Sequence, residues 1–171
     1  MKKVFLFSAV AGLALAVACG SPSESTDSTA TTNEVEAPAT AEVSGGATVE
    51  LALEGNDLMQ FDKHEFTVKA GDNVKLTLKN VGELPKESMG HNVIVLKPGT
   101  DLAAFGGEAI KAAGNDYIPM TFMSSIIAHT KLLGPGESDV IEFVLDTPGE
   151  YPYICSFPGH YGIMQGKIIA Q

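Results

Sequence analysis

Positive charge is scarce in this sequence: 11 basic residues, every one a lysine, stand against 21 acidic ones. A chain with a formal net charge of −10 is repelled by polyanions, which excludes nucleic acid and favours a partner with a neutral or basic docking face. Cysteine is scarcer still, with only Cys19 and Cys155, and tryptophan is absent. Two cysteines cannot build a disulfide framework. Long apolar runs are missing too: Val4 to Ala18 is uncharged and mostly apolar but has only 15 residues, against the ~20 that a membrane-spanning helix needs.

That short run sits behind Lys2 and Lys3, the pattern of an export signal over residues 1–18. A buried N-terminal helix is the alternative. Ala16-Val17-Ala18-Cys19 resembles the lipobox of bacterial lipoproteins, in which the cysteine is lipidated and becomes the mature N-terminus, although Ala16 stands where leucine is usual. Plain secretory cleavage after Ala18 competes with it. Lipidation would anchor the protein to a bacterial membrane, facing the periplasm or the cell exterior. Losing Lys2 and Lys3 with the signal leaves 9 lysines against 21 acidic residues, a net charge of −12. With Cys19 lipidated, Cys155 is the only thiol of the folded part. A lone thiol in an oxidising compartment needs protection, and a metal would provide it.

Residues 19–46 run from Cys19 into Ser, Thr, Ala, Glu and Pro with almost no large apolar side chain. Such a stretch cannot bury enough surface to fold and is expected to be a disordered tether. As a flexible coil its 27 residues from Gly20 to Gly46 span roughly 30 Å, or about 90 Å fully stretched.

From Ala47 to Gln171 the pattern changes. "ATVELALEG", "HEFTVKAG", "NVKLTLKNVG", "HNVIVLKPG", "IIAHTKLLGPG", "DVIEFVLDTPG", "EYPYICSF" and "GKIIAQ" are short runs rich in β-branched and aromatic residues, most of them closed by turn formers. In "VKLTLKN" Val74, Leu76 and Leu78 alternate with Lys75, Thr77 and Lys79, giving one apolar and one wet face. Seven to eight such strands predict an all-β Greek-key sandwich. The stretch "TDLAAFGGEAIKAAGNDYIPM" breaks the pattern: helix formers after a capping Thr100 or Asp101 predict a short helical insertion over 101–113.

The loop "CSFPGHYGIM" sets Cys155, His160 and Met164 within ten residues. Thiolate, imidazole and thioether suit copper, and two His with one Cys plus a weak axial Met is the donor set of an electron-transfer copper site. A second histidine must then come from His64, His91 or His129. His91 is favoured, because it opens a strand directly after a glycine that permits close backbone approach.

In order and along nearly all of residues 47–171, "NDLMQF", "LPKESMGHNVIVL", "IIAHTKLLGPGESD" and "CSFPGHYGIMQGKI" resemble the azurins, bacterial blue copper proteins of cupredoxin fold. The C-x4-H-x3-M spacing matches azurins, whereas plastocyanins shorten the Cys-to-His gap. The resemblance implies one copper per chain, with His91, Cys155 and His160 as equatorial ligands, Met164 a distant axial ligand, and the Gly90 carbonyl the opposite weak contact. It makes Asn92 and Ser156 the pair that ties the two ligand loops together near the sulfur. It gathers Met59, Leu84, Met89, Phe157 and Pro158 into an apolar docking patch through which an edge of His160 projects. Two departures are evident: the disulfide cysteines of azurins are missing, and Val93 stands where many azurins carry a buried tryptophan. Met120 and Met123 are expected to pack, and His64 and His129 to lie at the surface.

The resemblance implies a monomeric carrier that moves one electron at a time between redox partners outside the cytoplasm, such as c-type cytochromes, oxidases or reductases. The alternative is a protein that stores or delivers copper without redox turnover; its signature, Met or His clusters in the tail, is missing from residues 20–46. A copper enzyme would need further sites built from many histidines, and the chain has four. Zinc would accept the same nitrogen and sulfur donors.

Overall fold

A computed structural model describes residues 46–171. The expected signal peptide, Cys19 and all of the tether before Gly46 lie outside the described residues. In chain order the strands are β1 (Thr48–Asn56), β2 (Gln60–Phe61), β3 (Glu65–Val68), β4 (Asn73–Asn80), β5 (Ile94–Leu96), β6 (Ile126–His129), β7 (Ser138–Val144), β8 (Gly149–Ile154) and β9 (Gln165–Ala170). They form two sheets, ordered β2-β1-β4-β7 and β3-β9-β8-β5-β6. β1 runs parallel to β4 and β3 parallel to β9, while the other pairs are antiparallel. Parallel neighbours cannot be joined by a tight hairpin, so the chain crosses between sheets and closes a sandwich around one core.

All eight expected strands form. The ninth, β2, is a two-residue partner that closes a hairpin on β1 through Gly55↔Phe61 and Asn56↔Gln60, too short to show any alternation. On β4 the alternation becomes burial: Val74, Leu76 and Leu78 are fully buried and Lys79 is exposed. On β5 all three residues are buried. Val95 belongs to the core between the sheets, while Ile94 and Leu96 pack on the outer side with Phe105, Ala109 and Ile118.

Those last three residues belong to the insertion. A one-turn helix, α1 (Lys86–Met89), precedes β5, and α2 (Leu102–Ala109) follows it. Asp101 caps α2, its carboxylate accepting from the Ala103 and Ala104 N–H groups at 3.0 Å. Thr100 instead turns its hydroxyl to the Lys97 carbonyl at 2.7 Å. Tighter 3-10 turns at Ile110–Asn115 and Met120–Ser125 carry the insertion past residue 113 to β6. Among the described residues no helix is long and apolar enough to cross a membrane.

Candidate metal centre

The segment from Cys155 to Met164 joins β8 to β9, whose register ends on Ile154↔Gln165. The Cys155 N–H donates to the Met164 carbonyl at 2.9 Å and closes the loop at its neck. Inside it, the His160 N–H donates to the Phe157 carbonyl at 3.0 Å and the Met164 N–H to the His160 carbonyl at 2.8 Å. Gly159 takes φ +85°, a left-handed conformation that side chains resist, so the loop can turn just before His160. On the other side, His91 is held by paired backbone bonds with Leu133, at 3.0 and 2.7 Å. Gly90 is buried, and a Cβ there would lie 2.7 Å from the Lys86 carbonyl oxygen and 3.0 Å from Leu132 Cγ. Only glycine lets α1 abut the start of this ligand loop.

These two loops bring together what the sequence separates by 64 residues. Cys155 Sγ lies 4.0 Å from Nδ1 of His91 and 3.6 Å from Nδ1 of His160. The three donors fall within 4.8 Å of one another, and among the described residues no other cluster of metal-ligating side chains forms. A divalent ion bonded to thiolate at about 2.3 Å and imidazole at about 2.0 Å, in a trigonal plane, would separate sulfur from nitrogen by about 3.7 Å. The observed spacings bracket that value, so the residues fit a mononuclear soft-metal site.

Met164 is fully buried beside them. A Cβ on Gly55 of β1 would stand 2.9 Å from the Met164 methyl carbon and 3.2 Å from Cδ2 of His91. Gly55 therefore leaves the space that the thioether and the imidazole share. No sequence motif signals this role, although Gly55 directly precedes "NDLMQF".

Burial controls the proton chemistry. It pushes the Cys155 thiol up to about 11, against a smaller opposing effect of the Asn92 and Phe157 backbone N–H groups. Burial, then the neighbouring His91, pulls His160 down to about 4. Burial likewise lowers His91, opposed by the Asn56 carbonyl and by Asp57. His91 Nε2 nonetheless has no hydrogen-bond partner of good geometry, so the Asn56 contact is weak. At neutral pH both rings are uncharged and offer lone pairs to a metal, while the thiol must give up its proton.

Asn92 ties the loops together. Its amide oxygen accepts from the Ser156 N–H at 2.8 Å, and its amide nitrogen donates to Ser156 Oγ and to the Asp116 carbonyl, both at 2.9 Å. Both side chains are buried next to the ligands they flank.

The residues expected in a patch come from three segments, and Asp57 draws two of them together. Its carboxylate accepts from the Glu83 and Leu84 N–H groups at 2.8 and 3.3 Å, pinning the Leu84 segment to the turn that carries Met59. Leu84 is 44% exposed, and Met59, Met89 and Pro158 are half-buried. Phe157 departs from the expectation: it is 6% exposed, its ring packed between Tyr117 at 5.1 Å and His160 at 4.8 Å. His160 shows only 2% of its surface. Leu58 and Ile163, which motif reading missed, are 69% and 54% exposed on the same turn and ligand loop.

His64 and His129 are exposed, His64 bonding the Gln165 carbonyl and His129 the Thr130 carbonyl through Nδ1. Met120 and Met123, expected to pack, are instead 69% and 42% exposed. They lie in a 3-10 turn, where residues three apart eclipse one another and share a face.

A Greek-key sandwich that gathers one thiol, two imidazoles and a thioether at a single buried point defines a mononuclear copper protein. Residues 47–171 match the family of copper binding proteins, plastocyanin/azurin family, and the chain belongs to it. Azurin of Alcaligenes faecalis is 40% identical over 124 residues, 70% of this chain and 95% of that protein. Outer membrane protein H.8 of Neisseria meningitidis is 39% identical over 121 residues, 68% of this chain and 64% of that protein. Among solved structures, dithionite-reduced auracyanin from the photosynthetic bacterium Roseiflexus castenholzii aligns with a TM-score of 0.65 at 36% identity, covering 74% of this chain and 99% of that one. Copper is the cofactor these findings define, and the fold is that of an azurin-like cupredoxin.

Proposed function

We propose that this protein is an electron carrier rather than an enzyme, in which His91, Cys155 and His160 would hold one copper, with Met164 and the Gly90 carbonyl as weaker donors, and redox proteins as its partners. The observation that carries this reading is the convergence of both Nδ1 atoms on one buried thiol, at 3.6 and 4.0 Å. When bound, copper supplies a one-electron couple between Cu(I) and Cu(II). The chain's task is to hold the donors still. The Cys155–Met164 neck and the His91–Leu133 bridge each fix one ligand-bearing segment by hydrogen bonds, and the Asn92–Ser156 tie joins the two. Burial excludes water, and the Asn92 and Phe157 backbone N–H groups partly offset its cost to the thiolate. Leu58, Leu84 and Ile163, with half-buried Met59, Met89 and Pro158, offer an apolar surface for short-lived docking of c-type cytochromes, oxidases or reductases.

The same proposal places the domain outside the cytoplasm. Residues 1–18 act as signal peptide, lipidated Cys19 and residues 19–46 as anchor and tether, and residues 47–171 as a monomeric copper domain. The lipobox-like AVAC and the likeness to outer membrane protein H.8 of Neisseria meningitidis support this reading. The test of the centre is direct. Copper(II) added to the full chain should produce an intense blue band, and Cys155→Ser should abolish it without loss of β-sheet circular dichroism. A Cys155→Ser protein that stays blue, or a folded wild type that binds copper without colour, would end the proposal.

A further inference from the structure

Helix α2 carries two adjacent glycines, Gly106 and Gly107, in eight residues. Glycine inside a helix is unfavourable, because it loses the most backbone freedom on ordering. The two positions differ. At Gly107 an added Cβ would meet nothing within 4 Å, whereas at Gly106 it would lie 2.5, 2.6 and 2.7 Å from Cδ1, Cε1 and Cγ of Tyr161. The Tyr161 ring thus lies against the bare backbone of α2, and Tyr161 is the residue directly after His160 in the ligand loop.

Two further contacts run from the insertion to the same centre. Tyr117 packs edge-on against Phe157 at 5.1 Å, and Phe157 lies 4.8 Å from the His160 ring. The Asp116 carbonyl accepts from Asn92 at 2.9 Å, the side chain that holds Ser156. Asp116 and Tyr117 take φ of 51° and 60°, the left-handed region that non-glycine residues avoid. Such strain persists only where surroundings over-determine it. Here the Tyr117 N–H bonds the Ala112 carbonyl at 3.0 Å, and Asn115 Nδ2 bonds the Ile118 carbonyl at 2.8 Å. The insertion is itself seated: Phe105, Ala109 and Ile118 pack with Ile94, Leu96 and Ile154, one residue before Cys155.

Building on the copper-centre reading, we infer that the insertion is a clamp on the ligand loops, with Gly106 as the seat of Tyr161 and Tyr117 and Asp116 as two further holds. None of these groups touches the metal. They position His160 and the Asn92–Ser156 tie.

The opposing effects of one methyl group test this. Helix propensity alone makes Gly106→Ala stabilising, but the clamp makes it eject the Tyr161 ring. In the full chain, Gly106→Ala should speed copper(II) loss to excess EDTA about tenfold, move the blue absorption maximum, and raise amide hydrogen exchange of residues 155–164 about tenfold in the copper-free form. Gly107→Ala should leave all three at wild-type values. In a Tyr161→Ala background, Gly106→Ala should change them by less than about twofold further, because its clash partner is gone. Tyr161→Phe keeps the ring and should behave as wild type. If Gly106→Ala does not fold, the contrast of Tyr161→Ala with Tyr161→Phe decides on the same readouts. A folded Gly106→Ala with wild-type rates, or equal effects in both backgrounds, overturns the clamp. Failure of the wild type to turn blue would instead overturn the copper-centre reading, and loop exchange in the copper-free variants would still judge the clamp.

Discussion

Metal loading of this site at mildly acidic pH should release fewer protons per ion than an exposed site with the same donors. The reasoning starts from the groups that must bind in their basic forms: one thiolate and two neutral imidazoles. With Cys155 pushed up to about 11, the thiol is protonated at pH 6 and yields one proton. With His160 pulled down to about 4, its ring is already neutral at pH 6 and contributes about 0.01. His91 is lowered as well and contributes less than an ordinary histidine. Two ordinary histidines at pKa ≈ 6.5 would each be about three-quarters protonated at pH 6, so an exposed site with the same donors would release about 2.5 protons. The assay is calorimetric titration of zinc into copper-free protein at pH 6, in buffers of different protonation enthalpy. Zinc takes the same donors without oxidising the thiol. The sign follows for stability too: a base whose folded pKa is depressed opposes folding as pH falls from 6.5 toward 4, so the copper-free domain should weaken across that window. A release near 2.5 protons at pH 6 would mean that the rings are solvated and the site is not built as described.

Met164→Leu conserves volume in a fully buried position, so the protein should stay blue and its potential should rise by about 59 mV for each tenfold gain in preference for Cu(I); Gly55→Ala, whose Cβ would stand 2.9 Å from the Met164 methyl, should shift the potential too and cost about 1–3 kcal/mol in chemical denaturation. Loss of copper binding by Met164→Leu would make the sulfur a primary ligand. Met89→Lys places like charges face to face when two copies meet through the patch and should slow electron self-exchange about tenfold or more, with an unchanged spectrum, while His129→Lys at the exposed end of β6 should not; the reverse outcome would move the electron port elsewhere. Cells expressing the full chain should hold it in the membrane fraction, and Cys19→Ala should release it or leave it unprocessed; a soluble wild type beginning at Cys19 with a free amine would refute the anchor.

The sandwich was legible because a period of two survives translation into burial almost unchanged, as Val74, Leu76 and Leu78 show. The ligand loop was legible for another reason: three soft donors within ten residues need no knowledge of the fold to be noticed. What stayed hidden depends on contacts that sequence distance conceals. Gly55 matters because Met164, 109 positions later, swings its methyl over it. Gly106 looks like a weak spot in a helix until Tyr161 is seen to lie on it. Phe157 reads as surface from its neighbours in the patch, yet Tyr117 arrives from the insertion to cover it. Met120 and Met123 were expected to pack because they are large and apolar, yet the 3-10 turn that carries them leaves both exposed.

The lone thiol also needs less protection than composition implies. A free cysteine in an oxidising compartment reacts as its thiolate, and a metal is one way to prevent that. The fold supplies another. Cys155 is fully buried, and its pKa near 11 leaves only about one molecule in ten thousand as thiolate at pH 7. The copper-free domain can therefore keep its essential sulfur from reacting before copper arrives. The same burial works against binding, since the ion must displace a firmly held proton and enter a dry site. Copper–thiolate bonding is strong enough to overcome that cost, and softer metal–sulfur bonds gain most from a pocket without water. The proton cost is the same for every metal that takes the thiolate, so it weakens binding across the board and leaves the choice of metal to the donor set and its geometry.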